Sequence, residues 1–415
     1  MIKRGEIFKT IGPGLLYAGA AIGVSHLVQS TRAGASYGIA LLGIVIITNI
    51  IKYPFFEYGP RYAAATGNNL LDGYEKLGKW TLVLFAIITV GTMFTVQAAI
   101  TVVTAGLAQE IIGIDLPAWQ WSVLVLILCA LILFRDSYKL LDKVMRYIII
   151  LLTIATVTAL VGAFVSPQGE SSITKPAFDW QNHTDLFFLI ALIGWMPAPF
   201  DISVWHSIWS IEKNKKMSKT KRVKAARTDF HVGYWGTTFL AICFMLLGAK
   251  VLYTSDVTLS SSGSEFAAQL ISIYTETLGD WSYPIIGTAA LTTMFSTSLT
   301  VMDGFTRVMV PLSNKLVNQK QLEHKAHYRF WLIVLVLGAA QIIIFFVTNM
   351  HSLVDLATTI SFVTAPIIAI LNYSVINSSD VSKHLRPKPI TRIISIVGII
   401  LLSGFAIYFL FLKFS

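Results

Sequence analysis

Hydrophobic residues form long runs along this chain, and short polar segments separate one run from the next. A helical run of about 20 apolar residues matches the thickness of a bilayer. The pattern therefore predicts an all-α integral membrane protein with about eleven membrane-spanning helices, here numbered spans 1 to 11. Their predicted bounds are 11–36, 38–62, 80–110, 118–135, 144–165, 183–210, 230–252, 283–310, 328–348, 352–377 and 391–412.

Span 6 does not have the sequence of a continuous helix. Gly194, Pro197 and Pro199 interrupt its apolar run, and Asp201 and His206 follow in the next turns. Proline removes a backbone donor and clashes with the preceding turn, and a simple kink would need only one. Irregular backbone is tolerated at membrane depth only where it packs in protein or lines a polar cavity. The pattern therefore predicts a broken helix and a substrate site around the prolines.

Span 1 carries Gly19 and Gly23 in mid-membrane, five spans before the broken span 6. Interrupted helices at matching positions of two halves are typical of transporters built from inverted repeats. Their half-helix ends would offer carbonyls to a cation or amides to an anion, with the side chains of His26, Gln29, Met196 and Asp201 nearby. The predicted organisation is a cytoplasmic amino-terminal segment at 1–10, a first five-helix repeat at 11–165, a second inverted repeat at 183–377 and an accessory helix at 391–412.

Composition supports a membrane protein without a large soluble domain. Hydrophobic residues make up 55% of the chain and charged residues 13%, and the mean hydropathy is +0.68. The net charge is +10, but 27 of the 32 lysines and arginines fall at connections on the side of the amino terminus. By the positive-inside rule, this places the amino terminus in the cytoplasm and the carboxyl terminus outside. We expect the membrane to be a bacterial plasma membrane. The charge is thus a topology signal, not a sign of nucleic-acid binding.

The residues that enzymes and structural metal sites use do not form a pattern in this sequence. Cys129 and Cys243 both lie inside apolar runs, which predicts neither a disulfide framework nor a zinc site. No His-Glu-x-x-His motif occurs, and no serine or cysteine has a catalytic partner at suitable spacing. We therefore expect a carrier that is not an enzyme and needs no cofactor, with the bilayer and the transported ion or molecule as its partners and no obligate protein partner.

Several short motifs resemble those of the Nramp (natural resistance-associated macrophage protein) family of proton-coupled divalent metal transporters. They occur in the family's order along nearly the whole chain. The resemblance implies the leucine-transporter fold, with broken helices 1 and 6, and transport of a divalent metal ion. The matching segments are 12–38, which aligns without gaps, Ala65-Thr66-Gly67, Met196-Pro197, Met302-Asp303-Gly304-Phe305 in place of Met-Glu-Gly-Phe, and Pro366.

The chain departs from the family at the metal site itself. The Asp-Pro-Gly-Asn motif falls on residues 23–26, so Gly23 replaces the metal-binding aspartate and His26 the asparagine. Met196 keeps the thioether ligand, whereas Ala198 stands where the family has a histidine. The resemblance implies His26 and Met196 as metal ligands, within a set of substrate-binding positions made of Gly23, Ser25, His26, Met196, Ala198 and Thr358.

Proton coupling would need other groups than those the family uses. Residues 81–109 of span 3 contain no aspartate or glutamate, although the family carries acids there. The family's His-Ser pair downstream of the proline of span 6 reappears as His206-Ser207, with three extra residues intervening. The groups left to carry protons are His26, Asp201 and His206.

Because the central carboxylate is lost, several classes of substrate are compatible with the site. Imidazole and thioether suit softer ions such as copper, zinc or iron, whereas manganese becomes harder to hold. The helix ends could instead bind an amino acid or another small carboxylate, with Arg32 adding attraction. A hydrated magnesium ion beside small side chains is a further alternative. A sensor that binds its ligand without transporting it is also compatible with the fold.

Each candidate residue also has a purely structural interpretation. His26 could hydrogen-bond a carbonyl released by the helix break, Met196 could fill the core, and Asp201 could cap the second half of span 6. Lys52 and Glu57 flank Pro54 in span 2. They could form a pair that reaches toward the membrane surface, or Lys52 could be an interior counter-ion.

Overall fold

Fifteen α-helices make up the part of the chain that the computed structural model describes, residues 12–134, 138–165, 177–215, 217–253, 259–317, 324–346 and 349–414. Thirteen of them form the eleven spans, because spans 1 and 6 are each divided in two. Their bounds are Pro13–Ala21 and Thr31–Tyr37 (span 1), Leu42–Thr66 (2), Lys79–Ile112 (3), Ala118–Leu133 (4), Tyr138–Val165 (5), His183–Trp195 and Asp201–Asn214 (6), Lys219–Leu247 (7), Tyr283–Val317 (8), His324–Phe346 (9), Met350–Ile376 (10) and Pro389–Phe414 (11).

The predicted spans are all present, but several helices extend past the predicted bounds. Span 7 begins at Lys219 instead of residue 230, and span 8 continues to Val317 instead of 310. Hydropathy detects only the apolar part of a helix, so a helix that continues into a polar surface region is longer than its apolar run. The predicted segment 1–10 lies outside the described residues, and the boundaries of the two repeats stay a prediction.

Two further helices were not predicted. The helix Leu70–Leu77 lies between spans 2 and 3 and begins with a capping box. There, Asn69 accepts a hydrogen bond from the backbone of Asp72, and the Asp72 carboxylate accepts one from the backbone of Asn69. The helix Gly263–Leu278 lies between spans 7 and 8. Both are amphipathic connections that a search for long apolar runs passes over.

The length and surface of the helices fit a bilayer. Seven described helices, those of spans 3, 5, 7, 8, 9, 10 and 11, are long and apolar enough to cross it. The other four spans are the two broken ones, the 16-residue helix of span 4, and span 2 with its prolines and charged residues. Large apolar side chains such as Leu131, Phe345 and Ile407 are exposed on the outer surface. In a bilayer they would face lipid instead of water.

Spans 1 and 6 are both interrupted, as the sequence predicts. Span 1 stops at Ala21 and resumes as a π-helical turn at Ser25–Ser30 before its second α-helical half. Span 6 is non-helical from Met196 to Phe200, which includes both prolines, and the Met196–Pro197 bond is cis. Each break releases backbone groups that a continuous helix would pair.

Span 7 holds the first half of span 1 in place. A Cβ atom at Gly14 would lie 2.1 Å from the carbonyl oxygen of Asp229, so only glycine allows this approach of the two helices. The Asp229 carboxylate accepts hydrogen bonds from the backbone N–H groups of Gly12 (2.7 Å) and Gly14 (2.6 Å). An acid from another helix thus caps the amino-terminal end of span 1, where the helix dipole favours negative charge.

Replacing Asp229 with alanine should destabilise the protein, because two buried backbone donors lose a charged acceptor. We expect a loss of about 3 kcal/mol, measured as a lower midpoint of thermal unfolding in detergent. Asp280→Ala removes an exposed acid at the opposite face and serves as the matched control. Equal unfolding midpoints for the two variants would contradict this role of Asp229.

Candidate functional site

The carbonyl groups released by the break in span 1 accept hydrogen bonds from side chains of the protein. The Ser25 hydroxyl donates to the carbonyl of Ala21, and it also lies 3.3 Å from the carbonyl oxygen of Pro197 in the break of span 6. The Thr297 hydroxyl of span 8 donates to the carbonyl of Gly19 at 2.8 Å. Ser25 therefore links the two breaks.

Thr297 occupies the space that a side chain at position 23 would need. A Cβ atom at Gly23 would lie 2.4 Å from Cγ2 of Thr297, far inside van der Waals contact. The aspartate that the family motif has here would therefore clash with span 8. The close packing of Thr297 is possible only because position 23 has no side chain.

In span 6, the released carbonyl groups are contacted by a lysine. The Nζ atom of Lys52 donates to the carbonyl oxygens of Ile193 at 2.6 Å and Gly194 at 3.0 Å, and it lies 5.1 Å from the centre of the Phe200 ring. Lys52 is completely buried. Glu57 does not pair with it but binds Arg61 at 2.5 Å, so the interpretation of Lys52 and Glu57 as a pair reaching toward the surface is wrong.

His26 points toward span 7. Its Nε2 atom lies 2.9 Å from the carbonyl oxygen of Thr237, and its Nδ1 atom lies 2.7 Å from the Ser25 hydroxyl. Because a carbonyl can only accept, Nε2 must carry a hydrogen. Both ring nitrogens thus have protein partners in this conformation.

Met196 and Ala198 lie in the break of span 6 and are fully buried. The Met196 side chain belongs to a small apolar cluster with Val45 of span 2 and Met245 of span 7. Ala198 is part of the main core. The thioether therefore packs as core in this conformation, beside the break and among apolar side chains.

Thr358 contributes its backbone to the site. Its hydroxyl donates to the carbonyls of Val354 and Asp355 within span 10. A Cβ atom at Gly194 would lie 2.2 Å from the carbonyl oxygen of Thr358. Span 10 therefore packs directly on the end of the helix that precedes the break of span 6, but the Thr358 side chain is used locally.

Asp201 and His206 lie in the second half of span 6, and both are buried. The Asp201 carboxylate sits in the first turn of that helix, and its Oδ1 atom has no hydrogen-bond partner among the described residues. The Nε2 atom of His206 is 3.9 Å from the Asp229 carboxylate, and its ring stacks on Tyr17 at 5.8 Å. His26 and His206 thus both face span 7, at Thr237 and at Asp229, two turns apart.

Among the described residues, one cavity lies beside the breaks and another at the face where span 1 ends. The central one, between spans 1, 3, 6 and 8, is nearly closed at about 10 Å³. Ser25 and Thr297 are its polar residues, and the rest of its lining is apolar. The second cavity, about 500 Å³, opens at the face where span 1 ends. It contains the Arg32–Asp355 ion pair at 2.8 Å, which joins spans 1 and 10 and neutralises Arg32.

Sequence reasoning missed Thr297, Asp229 and Thr237. A threonine in an apolar span is common, and only the contact with Gly23 or His26 gives Thr297 and Thr237 their roles. Asp229 had a weak signal, as a lone acid after the basic segment between spans 6 and 7. Lys52 was recognised as a charge at membrane depth, but its partners could not be read from the sequence.

Comparison with known proteins decides the family. The family model described as natural resistance-associated macrophage protein-like matches residues 14–412. The chain belongs to the Nramp-like family. Its members are membrane transporters, which confirms that this is a multi-pass integral membrane protein and not an enzyme.

Individual relatives of this Nramp-like chain differ in how far they match. An uncharacterized protein of Pasteurella multocida is 34% identical over 405 residues, covering 97% of this chain and 92% of the relative. The divalent metal cation transporter MntH of Listeria innocua is 24% identical over 319 residues, covering 71% of this chain and 64% of that protein. A crystal structure of the Eremococcus coleocola manganese transporter superposes with a TM-score of 0.74 at 12% identity, covering 97% of this chain and 86% of that one. The predicted leucine-transporter fold is confirmed.

Restoring the family's aspartate should require room beside span 8. We expect Gly23→Asp alone to lower the yield of folded protein, because its Cβ meets Thr297. Gly23→Asp combined with Thr297→Gly should fold and bind divalent manganese at least about tenfold more tightly than Thr297→Gly, since a carboxylate is the strongest ligand added. Isothermal titration compares the two. Equal manganese affinity would show that position 23 does not face the metal path.

Proposed function

We propose that this Nramp-like protein is a secondary transporter that carries a divalent metal cation across the membrane through the paired breaks of spans 1 and 6. The observation that carries the proposal is the family match over nearly the whole chain, together with relatives named divalent metal cation transporters. Broken helices that meet at mid-membrane are the places where carriers of this architecture bind their substrates.

The metal would be held by few and mostly neutral ligands. The candidates are the Met196 thioether, the His26 imidazole, the Ser25 hydroxyl and released carbonyls such as that of Pro197. Among the described residues no group of three or more His, Cys, Asp or Glu side chains lies close enough to hold a metal. Such a set favours a softer ion over manganese. Binding would require His26 and Met196 to turn from their present partners toward the break.

His26 is the best placed of the proposed proton carriers. The single hydroxyl hydrogen of Ser25 faces the His26 Nδ1 atom and the carbonyls of Ala21 and Pro197. A second proton on His26 would donate to the Ser25 oxygen, so that the hydroxyl hydrogen is shared by two acceptors, the carbonyls of Ala21 and Pro197, instead of three. His206 of span 6 and Asp229 of span 7 lie further toward the amino-terminal end of span 1, 3.9 Å from one another. We propose that these groups, with Asp201, replace the acids that span 3 lacks.

The orientation follows from charge. Lysines and arginines are concentrated on the side where span 1 begins, so we propose that this side faces the cytoplasm of a bacterial cell and that the carboxyl terminus lies outside. The cavity of about 500 Å³ with the Arg32–Asp355 pair would then open to the exterior.

A small organic substrate, an amino acid or a carboxylate, is the second candidate. The lining of the central cavity favours it, because Val96, Ile100 and Trp195 surround Ser25 and Thr297. Pockets for organic ligands are mostly apolar, with a few polar groups that fix orientation. The absence of a carboxylate at position 23 also removes repulsion of an anionic ligand.

Replacing Met196 or His26 with alanine tests the metal proposal. We expect saturable uptake of manganese or zinc into proteoliposomes to fall by about tenfold or more in each variant, because even losing a residue that only supports a metal ligand costs about 10- to 100-fold. Met245→Ala is the matched control, because Met245 packs in the same apolar cluster as Met196 but lies outside the break.

Unchanged metal uptake in both variants would remove these residues from the site. Wild-type protein that takes up no metal but accumulates a labelled amino acid or carboxylate would replace the first candidate with the second. Isothermal titration of the purified protein against manganese, zinc, magnesium and a panel of carboxylates measures binding directly. It thereby distinguishes the two substrate classes independently of transport.

A further inference from the structure

Lys52 places an ionisable amino group at the centre of the protein. It lies ten residues after Leu42 and fourteen before Thr66, which places it about 15 and 21 Å from the two ends of span 2. Its side chain is completely buried. A charge at this depth is costly unless the surrounding groups compensate it, so its presence calls for a specific partner.

The described residues offer Lys52 no carboxylate within ion-pair distance. Glu57, on the same helix, is bound by Arg61, and Asp355 of span 10 is bound by Arg32. What Lys52 contacts are dipoles, the carbonyl oxygens of Ile193 at 2.6 Å and Gly194 at 3.0 Å. Its Nζ atom also faces the π-electron surface of the Phe200 ring, whose centre is 5.1 Å away.

These contacts form a cation site. The carbonyls of Ile193 and Gly194 lie at the carboxyl-terminal end of the first half of span 6, where the helix dipole presents negative charge. Released carbonyls at such half-helix ends coordinate the cations of carriers with broken helices. An aromatic face beside them attracts a cation further. Phe200 comes from the same break, so span 6 supplies all three contacts.

We propose that the Lys52 ammonium is a tethered cation that fills a cation-binding position built into the break of span 6. The protein thereby stabilises the break with its own side chain, without a small ion from solution. Lys52 also gives the substrate path a fixed positive charge, which weakens the binding of a second cation nearby and attracts an anion. The inference concerns the break itself and holds for either class of substrate.

Removing the charge should turn the position into a site for a dissolved cation. We expect Lys52→Met, which removes the amino group and keeps an unbranched apolar side chain one atom shorter, to lower the midpoint of thermal unfolding by about 5 °C or more. Sodium or methylammonium chloride should restore at least half of that loss in a concentration-dependent way, and choline chloride at equal ionic strength should not. The wild-type midpoint should be the same in all three salts.

The control is Lys250→Met, which alters a lysine that also stands near an aromatic ring, 5.8 Å from the centre of Phe164, but outside the break. Its unfolding midpoint should not depend on the cation. Should Lys52→Met fail to fold, Lys52→Gln takes its place, because the amide can donate to a carbonyl without a charge.

Two results would overturn the proposal. The first is a Lys52→Met or Lys52→Gln protein as stable as the wild type in choline, since the charge would then be unnecessary. The second is a variant that is destabilised equally in all three salts, since the lysine would then act only through its packing and its hydrogen bonds. Neither result depends on transport, so the metal proposal is judged separately by the uptake assays.

Discussion

Satisfying the backbone carbonyls released by two broken helices is the constraint on which the rest of this structure depends. In the interior of a bilayer no water accepts or donates in their place, and each unpaired group costs several kcal/mol. Here the donors come from the protein. Ser25 and Thr297 serve span 1, Lys52 serves span 6, and the Ser25 hydroxyl lies between the two breaks. The breaks are thus held open by side chains from three spans.

The same donors set the electrostatics of the site. Where the family motif places an aspartate, this chain has Gly23 packed on Thr297, and a buried ammonium lies at the adjoining break. Beside the break of span 6, the Lys52 amino group contacts the carbonyls, and the Asp201 carboxylate follows in the next helical turn. A divalent ion would have to bind mainly through a thioether, an imidazole and carbonyl dipoles, so its affinity would depend on rearrangement of His26 and Met196. An anionic or zwitterionic molecule would be repelled less by the Lys52 ammonium than a divalent cation would.

Span 7 links the site to the face where span 1 begins. Thr237 binds His26 beside the break, and two turns earlier Asp229 lies near His206 and caps span 1. Any movement of the first half of span 1 would alter contacts along this helix. The close approach of Gly14 to the backbone of Asp229 makes that contact stiff, because neither helix can shift without collision.

The sequence by itself determined the class, the eleven spans and the positions of the two breaks. Apolar run length, prolines and glycines are local signals, and a bilayer admits few other solutions for them. It also indicated that Lys52 lies within a membrane span, where a charged side chain needs a specific partner. Only the tertiary structure decided its partners. Lys52 and Ile193 are 141 residues apart, and Thr297 and Gly19 are 278 apart. Nothing in either neighbourhood of the sequence encodes which side chain will meet which released carbonyl, because that choice is made by the packing of helices against one another.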